Sequence, residues 1–243
     1  MKLAAATVTM MTVMLSAAGI SPAHAEDGTP PGWSGDAGLG FVSTTGNTET
    51  ETINAKTTLV YGAAPWKNTA KLDLLKGSDN DETNADRVTV SGKSERNLSE
   101  ASYLFGLINY EDDEFSGYDY RASETLGYGR RLLQGETVTL NAEAGLGARQ
   151  DKLSATGESE DDGIIRLAGM LEWRISPAAT LTQELEGEGG GGRTVTRSLS
   201  TLSTQVVGNL AAKFGVRITH TSDVPPDIDK TDTETSTTLV YEF

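Results

Sequence analysis

The chain has 243 residues, with 35 acidic and 20 basic side chains, a formal net charge of −15 and no cysteine. The acidic excess argues against nucleic-acid binding, which needs basic patches to neutralise phosphates. The lack of cysteine excludes disulfides and thiolate metal sites, and it suits a protein exported through an oxidising periplasm. Hydrophobic residues make up only 37% of the chain, which favours a membrane barrel, because only alternate strand residues face lipid there.

The first 25 residues are expected to form a segment separate from the fold. Lys2 precedes a mostly apolar stretch over residues 3–20, and Ala23-His24-Ala25 fits a small-x-small cleavage site. This pattern is typical of a secretory signal peptide. A membrane anchor is less favoured, because the stretch is short and rich in Ala and Thr. Residues 26–32 then form a Pro- and Gly-containing periplasmic leader, and residues 33–243 carry the domain.

The remaining sequence breaks into about twelve segments in which apolar and polar residues alternate. Alternation is strictest in 136–149, where Leu140 and Leu146 share one face and Asn141 and Glu143 share the other. A helix cannot satisfy a period of two, so these segments are predicted to be strands. The predicted strands are 33–44, 50–62, 66–77, 84–96, 99–111, 118–132, 136–149, 162–175, 179–188, 193–205, 208–221 and 231–243.

The connections between these segments alternate in length. The longer, acidic or Gly-rich ones are 45–49, 78–83, 112–117, 150–161, 189–192 and 222–230, and the short ones are 63–65, 97–98, 133–135, 176–178 and 206–207. Long outer loops and short periplasmic turns are typical of outer-membrane barrels. We therefore predict an all-β protein, a single transmembrane antiparallel up-and-down barrel of about twelve strands, in the bacterial outer membrane with both termini periplasmic.

Aromatic residues lie beside the short turns and the two ends of the domain. They are Trp33, Tyr61, Trp66, Tyr128, Trp173, Tyr241 and Phe243. Such rings are favoured at the membrane interface, so they predict a periplasmic girdle. The last strand ends on Tyr241-Glu242-Phe243, and this aromatic carboxy-terminus resembles the signal that the barrel-assembly machinery recognises. That machinery and outer-membrane lipid are the expected partners.

Two predicted strands place polar residues on the lipid-facing side. In 84–96, Gly92, Ser94 and Arg96 follow Val88 and Val90 on one face. In 118–132, Glu124 shares the lipid-facing side with Leu126. A charge facing the middle of the bilayer costs on the order of 2–4 kcal/mol. We therefore expect a bulge, a shifted boundary or a shielded position at both places.

The opposite faces of the strands carry many charges toward the barrel interior. These lumen residues are Lys56, Lys71, Asp73, Arg121, Glu143, Arg149, Arg166, Glu172, Arg174, Glu184, Glu186, Lys213 and Arg217. In one hypothesis they pair across strands and fill the barrel, since a buried charge must be paired. The protein is then a plugged structural or surface-interaction barrel without transport. In the other they line a narrow hydrated conduit that selects small polar solutes or ions. The sequence leaves both hypotheses open.

No catalytic, cofactor or metal site is predicted. The domain's single histidine, His220, falls on the lipid-facing side near an outer loop, away from any lumen serine that it would need to activate. The segment 187–192 lacks the Lys-Ser/Thr that follows a phosphate-binding loop. The acidic stretches 78–82, 158–162 and 223–232 lack the ligand spacing of known calcium motifs. We therefore expect neither an enzyme nor a nucleic-acid-binding protein.

Short motifs along the domain carry a family resemblance. They are Ser43-Thr44-Thr45-Gly46-Asn47-Thr48, Asn54-Ala55-Lys56, Asn109-Tyr110-Glu111-Asp112-Asp113-Glu114-Phe115, Gly117-Tyr118-Asp119-Tyr120-Arg121, Gly127-Tyr128-Gly129 and Leu239-Val240-Tyr241-Glu242-Phe243. The sequence thereby resembles the YdiY-like family of salt-induced outer-membrane proteins, first catalogued as a domain of unknown function. The resemblance implies an outer-membrane location and a link to envelope or salt stress, without an established substrate or reaction.

Overall fold

A computed structural model of the protein describes residues 31–45, 50–79, 82–225 and 228–243. Within these ranges the chain forms twelve antiparallel strands that close into one barrel. The strands are β1 (Gly32–Thr45), β2 (Thr50–Ala63), β3 (Trp66–Asp79), β4 (Glu82–Ser99), β5 (Ser102–Asp113), β6 (Tyr118–Gln134), β7 (Val138–Leu153), β8 (Ser159–Ser176), β9 (Ala179–Gly190), β10 (Arg193–Val207), β11 (Leu210–Thr221) and β12 (Thr231–Glu242). The predicted signal peptide, 1–25, and the leader up to residue 30 lie outside the described residues.

The barrel closes where β1 pairs with β12. Their register runs from Asp36 opposite Glu242 to Thr45 opposite Thr233. One step further, Gly35 and Phe243 exchange two backbone N–H···O hydrogen bonds of 2.8 and 2.9 Å. Closure leaves no open edge, which a sheet in hydrocarbon requires. We call the end that holds the start of β1 and the end of β12 the terminal end, and the other the far end.

The predicted fold class is confirmed, and most strand boundaries agree within a few residues. The clearest error is the predicted connection 150–161. There β7 and β8 continue to pair as far as Lys152 opposite Ser159. Gln150 and Asp161 are hydrogen-bonded across this extension at 2.7 Å. The alternation of apolar residues ends before the strands do. Side chains that extend beyond the membrane need not be apolar, although the backbone there still forms strand pairs.

The two faces of the sheet differ in the way that the sequence predicts. Leu126 and Leu146 point outward and are 74% and 69% exposed, while inward positions such as Arg166 and Glu188 are buried. This is the reverse of a protein folded in water and suits an outer surface that contacts lipid. None of the described residues belongs to a helix long and apolar enough to cross a membrane.

Of the three outcomes expected for 84–96, the bulge is not found within that range, whereas the strand boundaries are shifted to Glu82–Ser99 and the polar residues are shielded. The pairing of β4 with β3 is regular from Arg96 to Ala85, and its polar outward residues are accommodated locally. Ser94 donates a 2.8 Å hydrogen bond to Asn68 on β3. The guanidinium of Arg96 lies 6.0 Å from the Trp66 ring centre, close to the turn at the terminal end. Side-chain partners, rather than a change of register, satisfy these groups.

At Glu124 the expectation of a bulge, a shifted boundary or a shielded position is wrong. The irregularities of β6 fall near its ends, and Glu124 sits in regular pairing opposite Ile108 and Ala148. Its side chain is exposed on the outward face, and no other side chain of the described ranges bonds to it. The register holds because a one-residue slip would turn every neighbouring side chain of β6 to the wrong face.

Candidate functional site: the barrel lumen

The barrel encloses an elongated cavity of about 800 Å³, which we call the lumen cavity. Phe115 and Ser116, after β5, line it at the far end. Pro177 and Ala178, between β8 and β9, line it at the terminal end. Most of its lining between these points is charged or carries a hydroxyl. The cavity therefore extends along the full height of the barrel.

One side of the interior is filled by a group that sequence reasoning missed. Tyr103, Phe105 and Leu107 point inward from β5 and are 3%, 3% and 8% exposed. We call these three residues the lumen cluster. Leu104 and Ile108 on the outward face of β5 are about half exposed, so both faces of this strand are apolar. Alternation alone therefore could not show which face turns inward.

Glycines on the neighbouring strands make room for the rings of the lumen cluster. Gly127 pairs with Phe105 and Gly129 with Tyr103 across β5 and β6. A β-carbon added at either glycine would overlap the paired ring. Aromatic rings that cover glycines in this way stabilise and fix the register of a sheet. Gly127 and Gly129, two residues apart on the inward face of β6, were the sequence signal for this packing.

Glu143 on β7 connects the lumen cluster to basic residues. Its carboxylate accepts hydrogen bonds from the Tyr103 hydroxyl at 2.7 Å and from Arg166 at 3.0 Å, and it also pairs with Lys93. The ammonium of Lys93 lies 5.1 Å from the Phe105 ring centre. Charges on this side of the barrel are paired and largely buried. This half matches the hypothesis of a filled interior.

A second network crosses the interior beside the lumen cavity. Arg87 on β4 donates to Glu234 on β12 at 2.5 Å. Because β1, β2 and β3 stand between these strands, this ion pair bridges part of the lumen. Lys56 joins it, with its ammonium 3.5 Å from Glu234 and 3.2 Å from Asp73. Arg217 approaches Asp73 at 3.7 Å. The bridge narrows the space available to a solute.

Two buried arginines share one aspartate near the far end. Asp151 accepts from Arg193 and lies 2.9 Å from Arg149. Arg193 also donates to the Tyr118 hydroxyl at 2.5 Å, and Arg149 to Asp162 at 3.0 Å. Of these, only Arg149 belongs to the predicted lumen residues. Asp151 lies in the stretch that the sequence assigned to a loop.

The structure distributes the predicted lumen residues unequally. Those that line the cavity are Lys56, Lys71, Asp73, Arg121, Arg149, Glu172, Glu184, Glu186, Lys213 and Arg217. Glu143 and Arg166 instead belong to the filled side. Arg174 stays at the rim of the terminal end, where its guanidinium donates to the Glu136 carbonyl at 3.2 Å.

Most of the cavity charges are paired at close range. Arg166 and Arg197 bind Glu186 at 2.5 and 3.0 Å. Arg121 pairs with Glu111. Lys213 lies 2.9 Å from Asp36. The side chains of Lys71, Glu172 and Glu184 are the exceptions: within the described ranges none of them has a hydrogen-bond or ion-pair partner.

The predicted girdle residues project outward. Trp33, Trp66 and Trp173 are 69%, 38% and 44% exposed, each near the terminal end of its strand. The rings of Trp33 and Tyr61 are in contact, with centroids 4.9 Å apart. Tyr128, Tyr241 and Phe243 are 45%, 55% and 51% exposed.

Neither a catalytic group nor a metal-binding group is evident in the part of the chain that the structure describes. His220 is exposed on the outward face, and its Nδ1 lies 2.9 Å from the Thr231 hydroxyl. No group of three His, Asp or Glu in the described ranges is arranged to hold a metal ion. Parts of the acidic stretches 78–82 and 223–232 fall outside those ranges.

An apolar outer surface around a charged, hydroxyl-lined interior defines a porin-like barrel of the outer-membrane type. The fold is similar to the NanC porin, with a TM-score of 0.59 and 9% identity over 86% of this chain and 100% of that chain. It is also similar to the translocator domain of the autotransporter NalP from Neisseria meningitidis, with a TM-score of 0.51 and 15% identity over 89% of this chain and 90% of that chain. At these identities the likeness shows the fold alone.

The chain belongs to the family described as protein of unknown function DUF481, whose model matches residues 37–243. It is 30% identical over 215 residues to the uncharacterized protein YdiY of Escherichia coli (strain K12), covering 86% of this chain and 82% of the relative. The family resemblance that the sequence motifs indicate is confirmed.

Proposed function

We propose that the protein is an outer-membrane channel whose lumen cavity forms a narrow hydrated conduit for small polar solutes or ions. The observation that carries this proposal is the cavity of about 800 Å³, lined by residues from both ends of the barrel. Rings of charged side chains give such conduits their selectivity. The closed barrel fold, which the NanC porin shares, is a fold that can enclose such a conduit.

A plugged structural barrel is the second candidate, and the lumen cluster with Glu143 favours it. That packing occupies one side of the interior only. On the other side, Lys71, Glu172 and Glu184 face the cavity, and no described residue pairs with their side chains. An unpaired charge in a dry interior is very unfavourable. We therefore expect the cavity to contain water, which would favour conduction over a plugged barrel.

The channel would sit with its terminal end in the periplasm. The outward tryptophans near that end suit the headgroup region of the inner leaflet. The exposed ring of Phe243 would be the feature that the barrel-assembly machinery binds. We further propose a role in the envelope under salt stress, without enzymatic activity, in keeping with the family resemblance. Loss of the gene should then slow growth at high salt more than at low salt.

Conductance across planar lipid bilayers tests the proposed function. The folded protein should give small, uniform current steps, and the acidic cavity lining should make them cation-preferring. Heat-modified migration on gels before reconstitution provides the control for correct folding. Folded protein that gives no steps at any salt concentration would remove the channel proposal and leave the structural barrel.

A further inference from the structure

Three charges of the lumen cavity that pair with no described residue stand on opposite walls. Lys71 projects from β3, while Glu172 and Glu184 project from the adjacent strands β8 and β9. Because the strands follow one another in order around the barrel, β3 and β9 face each other across the lumen. Among the described residues, other lysines of the lining, such as Lys56 and Lys213, are held by carboxylates within 4 Å.

The three charges also lie at similar height. Each is four or five residues from the terminal end of its strand: Lys71 on β3, Glu172 on β8 and Glu184 on β9. Glu172 pairs with Thr182, and Glu184 pairs with Met170. The two glutamates are therefore diagonal neighbours on one wall, about 7–8 Å apart at the backbone.

The lining between these walls is mostly neutral at this height. It offers the hydroxyls of Thr58, Thr180, Thr182, Thr201 and Thr238. The other charges near this height are paired: Lys213 with Asp36 at 2.9 Å, Asp73 with Lys56 at 3.2 Å and Glu186 with Arg197 at 3.0 Å. An electric field therefore runs across the lumen from Lys71 to the two glutamates, and the low-dielectric walls of a cavity concentrate such a field.

We infer that this part of the cavity favours small zwitterionic solutes, an inference that rests on the proposed function. A zwitterion can turn its anionic group to Lys71 and its cationic group to Glu172 and Glu184 at the same time. An ion of one sign is attracted by one wall and repelled by the other. A neutral solute gains neither attraction. The hydroxyls can hydrogen-bond to zwitterions, ions and neutral solutes alike, so they do not discriminate between them.

The test compares glycine with glycolamide, an uncharged isomer of the same size, in swelling assays on liposomes that contain the full folded chain. The wild type should admit glycine faster than glycolamide by about threefold, the change that one or two exposed ion pairs supply. Lys71→Gln and the double variant Glu172→Gln/Glu184→Gln should each lower this ratio toward one. Arg130→Gln is the matched control, since Arg130 is an exposed outward residue of β6 outside the cavity lining.

A charge-reversed variant separates the orientation of a zwitterion from a simple effect of net charge. In Lys71→Glu/Glu172→Lys/Glu184→Lys the field points the other way, and a zwitterion can turn around, so the glycine preference should return. If the wild type conducts but the ratio is the same in all variants, the inference is wrong and the channel remains. If neither solute enters through the wild type, the proposed function itself fails.

Discussion

Tyr103 on β5 and Glu143 on β7 are joined by a 2.7 Å hydrogen bond that passes over Gly129 on the strand between them. The ring of Tyr103 covers the bare backbone of Gly129, and Glu143 in turn binds Arg166 and Lys93. One side of the barrel is thus tied together through its interior across five strands, β4 to β8, while the lumen cavity runs along the other side.

Replacing Gly129 with Ala should destabilise the barrel, because the added methyl group would displace the Tyr103 ring. We expect the free energy of unfolding to fall by about 1–3 kcal/mol, the usual effect of overpacking. Urea unfolding in lipid vesicles, followed by tryptophan fluorescence, measures this change. Gly106→Ala is the matched control, because its β-carbon would meet only Leu126 at an ordinary 3.4 Å. Equal effects of both substitutions would contradict the packing.

Glu143→Leu should cost more than an ordinary surface substitution, because it removes the carboxylate shared by Arg166 and Lys93. Breaking a buried ion pair lowers the free energy of unfolding by about 3 kcal/mol or more. The same urea titration measures it, with Glu184→Leu as the control, since its carboxylate is unpaired among the described residues. A loss for Glu143→Leu no larger than the loss for Glu184→Leu would contradict this network.

The sequence predicts which face of a strand points inward only where one face is apolar and the other is polar. In β7 the alternation of Leu140 and Leu146 with Asn141 and Glu143 is sufficient to predict which face points inward. In β5 both faces are apolar, so the inward direction depends on pairing with Gly127 and Gly129. That pairing depends on register, which a single strand does not encode.

Partners of lumen charges are equally hard to predict from the chain. The interaction of Arg87 with Glu234 joins strands that are not neighbours, so it follows from the curvature of the closed barrel. Arg174 has the correct parity for the lumen, yet its position close to the turn lets it bind the Glu136 carbonyl instead. The position of a residue along its strand predicts whether its side chain points into the lumen. Which residue it then contacts depends on how the strands close into the barrel.

Glu124→Leu should stabilise the protein in a lipid bilayer. The carboxylate lies on the outward face opposite Ile108 and Ala148. Removing a charge from this surface should raise the free energy of unfolding by roughly 1–2 kcal/mol, less than for a basic residue. Leu126→Glu, two residues along the same face, should produce a loss of similar size. A decrease for Glu124→Leu would mean that the carboxylate has a partner in the membrane.

Arg87→Ala should increase the single-channel conductance, because it removes the bridge to Glu234 beside the cavity. It should also strengthen the preference for cations, since Glu234 keeps its charge. Reversal potentials under a salt gradient measure the second effect. Arg130→Ala, which changes an exposed outward arginine of β6, should alter neither value. An unchanged conductance in Arg87→Ala would mean that the Arg87–Glu234 bridge is not the narrowest point of the conduit.

The most direct test of a hydrated lumen uses the lack of cysteine in the sequence. Thr201 faces the cavity and its neighbour Leu202 faces outward. The variants Thr201→Cys and Leu202→Cys therefore differ only in the face of the sheet that carries the cysteine. Single-channel current is recorded in planar bilayers before and after adding a membrane-impermeant, charged thiol reagent. We predict that the current through Thr201→Cys falls while that through Leu202→Cys stays constant. Current that is absent, or a Thr201→Cys current that the reagent leaves unchanged, would contradict a water-filled path through this barrel.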